Sequence, residues 1–93
     1  MVALAYTRVD TVLGKLTNGR KLVMTELTFT AGDAVGTVSI LPLKEIIEWT
    51  IGLAKPLTDT FVCAKHATIL NAITVTPSGD CTNDVLQIFS VGV

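Results

Sequence analysis

Charge is scarce in this sequence. Only 16% of its 93 residues are Asp, Glu, Lys or Arg, against roughly 25% in an average soluble protein. The formal net charge is −1, and Arg8, Lys15, Arg20, Lys21, Lys44, Lys55 and Lys65 are scattered apart from the Arg20-Lys21 pair. This balance offers no electrostatic footprint for nucleic acid. Aromatics are also few, at 5%, and do not form the basic-aromatic interleaving that stacks single strands. Two cysteines, Cys63 and Cys81, are too few for a disulfide framework. Two reduced thiols, one in a strand core, are expected; a bridge across a hairpin is the alternative. No apolar run approaches the ~20 residues that span a bilayer, so no membrane partner is expected. The opening MVALAYTRVD has neither a basic region nor a long apolar core, which speaks against a signal peptide. Synthesis and use in a cytoplasm, or in a particle assembled there, follow as the expectation.

What the chain has is β-forming sequence. Hydrophobic residues make up 49% and there are fourteen threonines, a residue that suits a half-exposed pleated surface. Length predicts one domain, residues 1–93. A chain this short buries only about two-thirds of its unfolded surface. Combined with the low charge, that points to a surface covered by another chain, so an oligomer is expected over a monomer.

The stretch Glu45 to Leu53 reads Ile47, Trp49, Ile51, Leu53 on one parity and Ile46, Glu48, Thr50, Gly52 on the other. This is the two-residue period of a half-buried strand, and Trp49, the only tryptophan, is the expected core anchor. A short helix near residues 42–50 is the alternative, since Pro42 suits a first helical position. A single helical turn over 42–45 leading into the strand would satisfy both signals. Val9–Leu16 and Lys21–Thr30 flank Asn18-Gly19, which predicts a hairpin closed by a turn with positive φ at both residues. In the second of these strands Val23, Thr25, Leu27 and Phe29 share the predicted core face. Leu22 and Met24 keep the opposite face from being fully polar. Further strands are predicted at 37–41, 60–65, 69–76 and 84–93, with turns at 31–36, 55–59, 66–68 and 77–83. Residues 1–7 read as a short strand or as an extended arm reaching a neighbouring subunit. Together these predict an all-β domain, a small antiparallel β-sandwich or barrel.

No catalytic, cofactor-binding or metal-binding residue is assigned. Cys63-x-x-His66 with Asp80 and Cys81 has ligand types, but zinc sites usually take four ligands in paired short spacings, and Cys81 lacks a clear partner. A Cys63–His66 thiol pair would need a bend in the strand. Glu45 with Glu48, and Asp80 with Asp84, are carboxylate pairs of the kind common on solvated surfaces. Gly32-Asp33-Ala34-Val35-Gly36 lacks the lysine and following helix of a phosphate loop. These absences point away from an enzyme.

Asn18-Gly19-Arg20-Lys21-Leu22-Val23, followed by Glu26-Leu27-Thr28-Phe29, resembles a "GN-x-K-x-V" step and an alternating "D-V-T-F" strand in small structural proteins of tailed phages. Leu43-Lys44-Glu45-Ile46 is similar to their mid-chain "L-K-x-I" segment, and Asp84 to Val93 to their closing strand. The likeness covers most of the chain. The sequence departs from the group in its two cysteines and its short Ala31 to Gly36 loop. The resemblance implies a non-enzymatic viral structural protein, a head decoration or accessory protein of the virion assembled in the host cytoplasm. By the same analogy, it would bind a larger capsid or tail protein and self-associate, with a trimer favoured. The alternative is a small ligand-binding or adhesion-type β-sandwich with a pocket or rim near Trp49 or the loops.

Overall fold

A computed structural model describes residues 2–53 and 60–93. The described chain is all-β, in seven strands: β1 (Ala5–Lys15), β2 (Lys21–Ala31), β3 (Gly36–Ser39), β4 (Ile46–Leu53), β5 (Phe61–Lys65), β6 (Ala72–Pro77) and β7 (Val85–Gly92). They form a four-stranded sheet in the order β1-β2-β7-β4 and a three-stranded sheet in the order β3-β6-β5. Every neighbouring pair is antiparallel. The inner faces of the two sheets share one core, so the fold is a small β-sandwich.

The period-two pattern of β2 places that core. Val23, Thr25, Leu27 and Phe29 are all fully buried. Opposite them in β7 stand Ser90, Ile88 and Leu86, also buried. The second sheet contributes Val38, Ile73 and Val75 to the same cluster. Phe29 is the aromatic centre. It meets Tyr6 edge-on at 5.8 Å and stacks on Phe61 of the other sheet at 5.2 Å, geometries that add to simple area burial.

Trp49 does not hold that position. It lies on the edge strand β4, packs against the core and is only partly buried. The register of β4 shifts between Ile46 and Glu48. This bulge changes which residue points inward: Ile46 is buried, whereas Ile47 is exposed. Parity is recovered at Trp49 and Ile51, which sit opposite Ser90 and Ile88; the side chain of Leu53 lies outside the described set. The helical alternative for residues 42–50 does not form. Ile40 to Leu43 make a turn, with Leu43 N–H donating to the Ile40 carbonyl at 3.0 Å, and the chain enters β4 at Ile46. Among the described residues the only helical segment is one 3-10 turn, Thr17–Gly19.

That turn joins β1 to β2. Asn18 and Gly19 both have positive φ, at 67° and 75°, as the Asn-Gly pair predicts. The loop also takes in Thr17, however, and closes through Leu16 N–H donating to the Arg20 carbonyl at 2.7 Å. The strand expected at 69–76 starts late, at Ala72. Asn71 is used as a staple instead: its Nδ2 donates to the Leu43 carbonyl at 2.8 Å and its own carbonyl accepts from Ile40 N–H at 2.7 Å. Ile69 and Leu70 are therefore exposed. The turn expected at 55–59 lies outside the described residues.

Both ends of the described chain are tied down. The segment expected as a strand or arm divides: residues 5–7 open β1, and Val2 is fixed to the β2–β3 loop. Val2 N–H donates to Asp33 Oδ1 at 2.6 Å, and its carbonyl accepts from Asp33 and Ala34 N–H, both at 3.0 Å. Leu4 then lies over Gly32 and Gly36. At the other end Gly92 rests against the Glu45 carbonyl, and Val93 exchanges backbone hydrogen bonds with Lys44 and Glu45.

Gly32 has φ 126°, and a Cβ there would stand 2.6 Å from Leu4 Cα and 2.8 Å from the Ala3 carbonyl oxygen. Gly32→Ala is therefore expected to cost about 1–3 kcal/mol in urea denaturation and to expose the N-terminal segment to limited proteolysis. Wild-type stability with an equally protected N-terminus would show that this docking is not needed.

Candidate functional site

The thiols, the imidazole and Asp80 are each held by local packing or hydrogen bonds. Cys63 is on β5 opposite Val75 and packs against the core. Burial pushes its thiol up to about 11, which leaves little of the nucleophilic thiolate at neutral pH. His66 lies just past the end of β5, where its Nδ1 accepts hydrogen bonds from the backbone N–H of Thr68 at 3.1 Å and Ile69 at 3.0 Å. An Nδ1 engaged as acceptor belongs to the neutral ring with its proton on Nε2. His66 thus closes the β5–β6 turn. Cys81 is buried, its Sγ donating to the Gly32 carbonyl at 3.2 Å, and it is not bridged to Cys63. Asp80 Oδ1 accepts from the backbone N–H of Thr82 at 3.0 Å and from its hydroxyl at 2.6 Å, and these bonds hold the carboxyl below its ordinary range. Among the described residues no three His, Cys, Asp or Glu side chains gather where they could hold a metal ion. The glycines of the 32–36 loop make room for Leu4.

Of the carboxylate pairs, Glu45 and Glu48 are both exposed, separated by the bulge that opens β4. Asp84 is buried, while Asp80 is exposed. The Asp84 carbonyl accepts from Phe29 N–H at 2.9 Å, which extends the β2–β7 ladder by one step.

A polar cluster not expected from the sequence sits at the open side of the sandwich. Arg8 and Asp10 point inward from β1. Two Arg8 nitrogens meet the two Asp10 carboxylate oxygens at 2.9 and 3.1 Å, and Arg8 also donates to the Ser39 carbonyl on the other sheet. The buried Thr25 hydroxyl donates to Asp10 Oδ1 at 2.6 Å. The signal for it is parity: Arg8 and Asp10 pair across the ladder with Leu27 and Thr25, both on the core face. Since β1 is an edge strand, inward charges there also oppose pairing with a further strand. Burial raises the Asp10 pKa, but hydrogen bonds from Arg8 and Thr25 and the Arg8 charge outweigh it, so the net shift is downward.

The surface best suited to a partner is the outer face of the four-stranded sheet. Cross-strand partners share a face, and the register aligns Thr11, Met24, Phe89 and Thr50 in one row. The next row holds Leu22, Val91 and Glu48. Phe89 leans over Gly52, whose missing Cβ would stand 2.7 Å from its ring. Between β7 and β4 is a shallow depression of about 180 Å³ lined by Leu22, Glu48, Trp49, Thr50, Phe89 and Val91. Leu22 and Met24 carried the sequence signal for this face; the part played by Phe89 and Val91 depends on strand order. No convergent set of polar groups lines the depression. It can seat an apolar side chain, since a cavity of about 150 Å³ holds a benzene-sized group.

No family model matches this chain, and neither any curated protein nor any solved structure does.

The downward shift at Asp10 sets a pH dependence. Its folded pKa lies below the ordinary 3.8, so its stabilising contribution is complete above that value and is lost as pH falls through the folded pKa. Asp10→Asn is expected to lower stability at pH 7 by roughly 1–3 kcal/mol. The gap to wild type should narrow in urea melts near pH 3; an equal gap at both pH values would contradict the assignment.

Proposed function

We propose that this protein is a non-enzymatic structural protein that works by association: it binds copies of itself and a larger scaffold. The observation that carries this reading is the outer face of the four-stranded sheet. Leu22, Met24, Phe89 and Val91 stand together there, and the described residues on it include no Lys or Arg. These four are half-buried and stand among Thr11, Thr50, Glu26 and Glu48, a partly apolar face suited to association. The thiol and imidazole chemistry of the chain is engaged in turns and core packing, which leaves association as the function with physical support.

The resemblance of the Asn18–Val23 and Glu26–Phe29 segments to small tailed-phage structural proteins makes the proposal more specific. The scaffold would be a capsid or tail protein, the setting a virion assembled in a host cytoplasm, and the oligomer a trimer suited to threefold capsid positions. The oligomeric order rests on analogy.

A second reading, a small ligand-binding module, is favoured by the placement of Trp49 at the depression. It requires quenching or a shift of Trp49 emission by a sugar or other small molecule.

Light scattering coupled to size exclusion tests the first reading. An oligomeric mass, with a trimer as the specific expectation, is the predicted result over micromolar concentrations. A monomer persisting to several hundred micromolar would overturn it.

A further inference from the structure

The fold gathers charges that look scattered in the sequence. From Thr11 to Thr25 the chain holds Lys15, Arg20 and Lys21 and no Asp or Glu. The β1–β2 hairpin brings these cations together: Lys15 pairs with Lys21 across the ladder, and Arg20 follows the turn. Lys21 opposite Gly92 is the last pairing of β2 with β7, so residues 16–20 extend beyond the four-stranded sheet as a finger. Leu16, at its base, is 46% exposed. Lys21 is engaged with the Pro42 carbonyl. Lys15 and Arg20 are exposed, and the one ion pair among the described residues is Arg8–Asp10.

The depression on the outer face has the opposite character. Its walls are Leu22, Trp49, Phe89 and Val91, and its one charge is the exposed carboxylate of Glu48. A tip carrying one exposed leucine beside two cations and a largely apolar depression carrying one anion complement each other. Stacking two outer faces on one another would instead bury Glu26, whose carboxylate accepts from Gln87 at 3.2 Å, against a surface with no cation. Desolvating an unmatched charge is costly, which disfavours that mode.

We infer that the β1–β2 hairpin tip of one copy seats in the Trp49–Phe89 depression of a second copy, with Leu16 entering the apolar walls and Arg20 and Lys15 meeting Glu48. The inference rests on the self-association proposed above and names its surface. Tip and depression are different patches, so the contact is head-to-tail. Such contacts close into rings when the rotation permits, and a ring of three is one such closure.

Trp49 is the only tryptophan and borders the depression from the core-facing parity of β4, between Glu48 and Thr50, so its emission supplements sedimentation as a readout of docking. The full chain is compared with Leu16→Ser, Arg20→Glu, Glu48→Arg and the double variant R20E/E48R by sedimentation and by Trp49 emission across a dilution series. All three positions are exposed, and unchanged far-UV circular dichroism checks folding. Each single substitution is expected to weaken association by roughly tenfold or more. Each should also shift Trp49 emission toward the red at concentrations where wild type is assembled. The double variant, with the charges exchanged, should return to within about threefold of wild type. An oligomer that the single variants leave intact, or a double variant as weak as the singles, would overturn this inference while leaving self-association standing. A monomeric wild type would overturn both.

Discussion

The structure depends on the pairing of β2 with β7. These two strands, from opposite halves of the sequence, form the middle of the larger sheet. Along their shared inner face stand Val23, Thr25, Leu27 and Phe29 against Ser90, Ile88 and Leu86. Every other strand of that sheet attaches to one of the two: β1 to β2 through the Asn18-Gly19 turn, and β4 to β7 along its outer edge. The smaller sheet then has one apolar surface to cover, and does so with Val38, Ile73, Val75 and the stacked Phe61. Truncating a buried aromatic such as Phe29 typically costs about 3–5 kcal/mol, a large share of the stability a small domain has. The turn from Cys81 to Asp84 serves the same pairing. Asn83 N–H donates to the Phe29 carbonyl at 2.8 Å and the Asp84 carbonyl accepts from Phe29 N–H, so the ladder is fixed beside the central aromatic.

The edges are managed by different means. β1 carries Arg8 and Asp10 on its inward side, bonded to each other, to Thr25 and to Ser39 of the opposite sheet. This clasp joins the two sheets where the core is open. Inward-pointing charges on an edge strand also discourage addition of another strand along β1. β4 is interrupted by its bulge at Ile46–Glu48, and a bulge bends and twists an edge away from flat pairing. The proposed association therefore uses the face of the larger sheet and the hairpin tip rather than strand addition along β1.

Much of this was legible in the sequence, and the misses have identifiable causes. The inward parity of β2 and the positive-φ Asn18-Gly19 turn follow from local periodicity and turn chemistry. The bulge in β4 does not, because Ile46 and Ile47 are equally apolar and only cross-strand register decides which turns inward. Trp49 read as the central anchor on size alone; strand order puts it at an edge and leaves Phe29 in the middle. The Ile69–Asn71 segment reads as strand by composition, but long-range bonds from Asn71 to the 40–43 turn take it out of the ladder. The candidate site shows the same division. Leu22 and Met24 announced a second apolar face. Their junction with Phe89 and Val91, and the gathering of Lys15 with Arg20, needed the topology.

The fold buries one face of the larger sheet within the chain and leaves the other partly apolar, the face that the proposed association would cover with further copies. Stability should then be linked to concentration, because association favours the folded state by mass action. The most direct test is the thermal midpoint measured over a hundredfold range of protein concentration. A rise of roughly 5 °C or more from the lowest to the highest concentration is expected. A midpoint that stays constant over that range would contradict it.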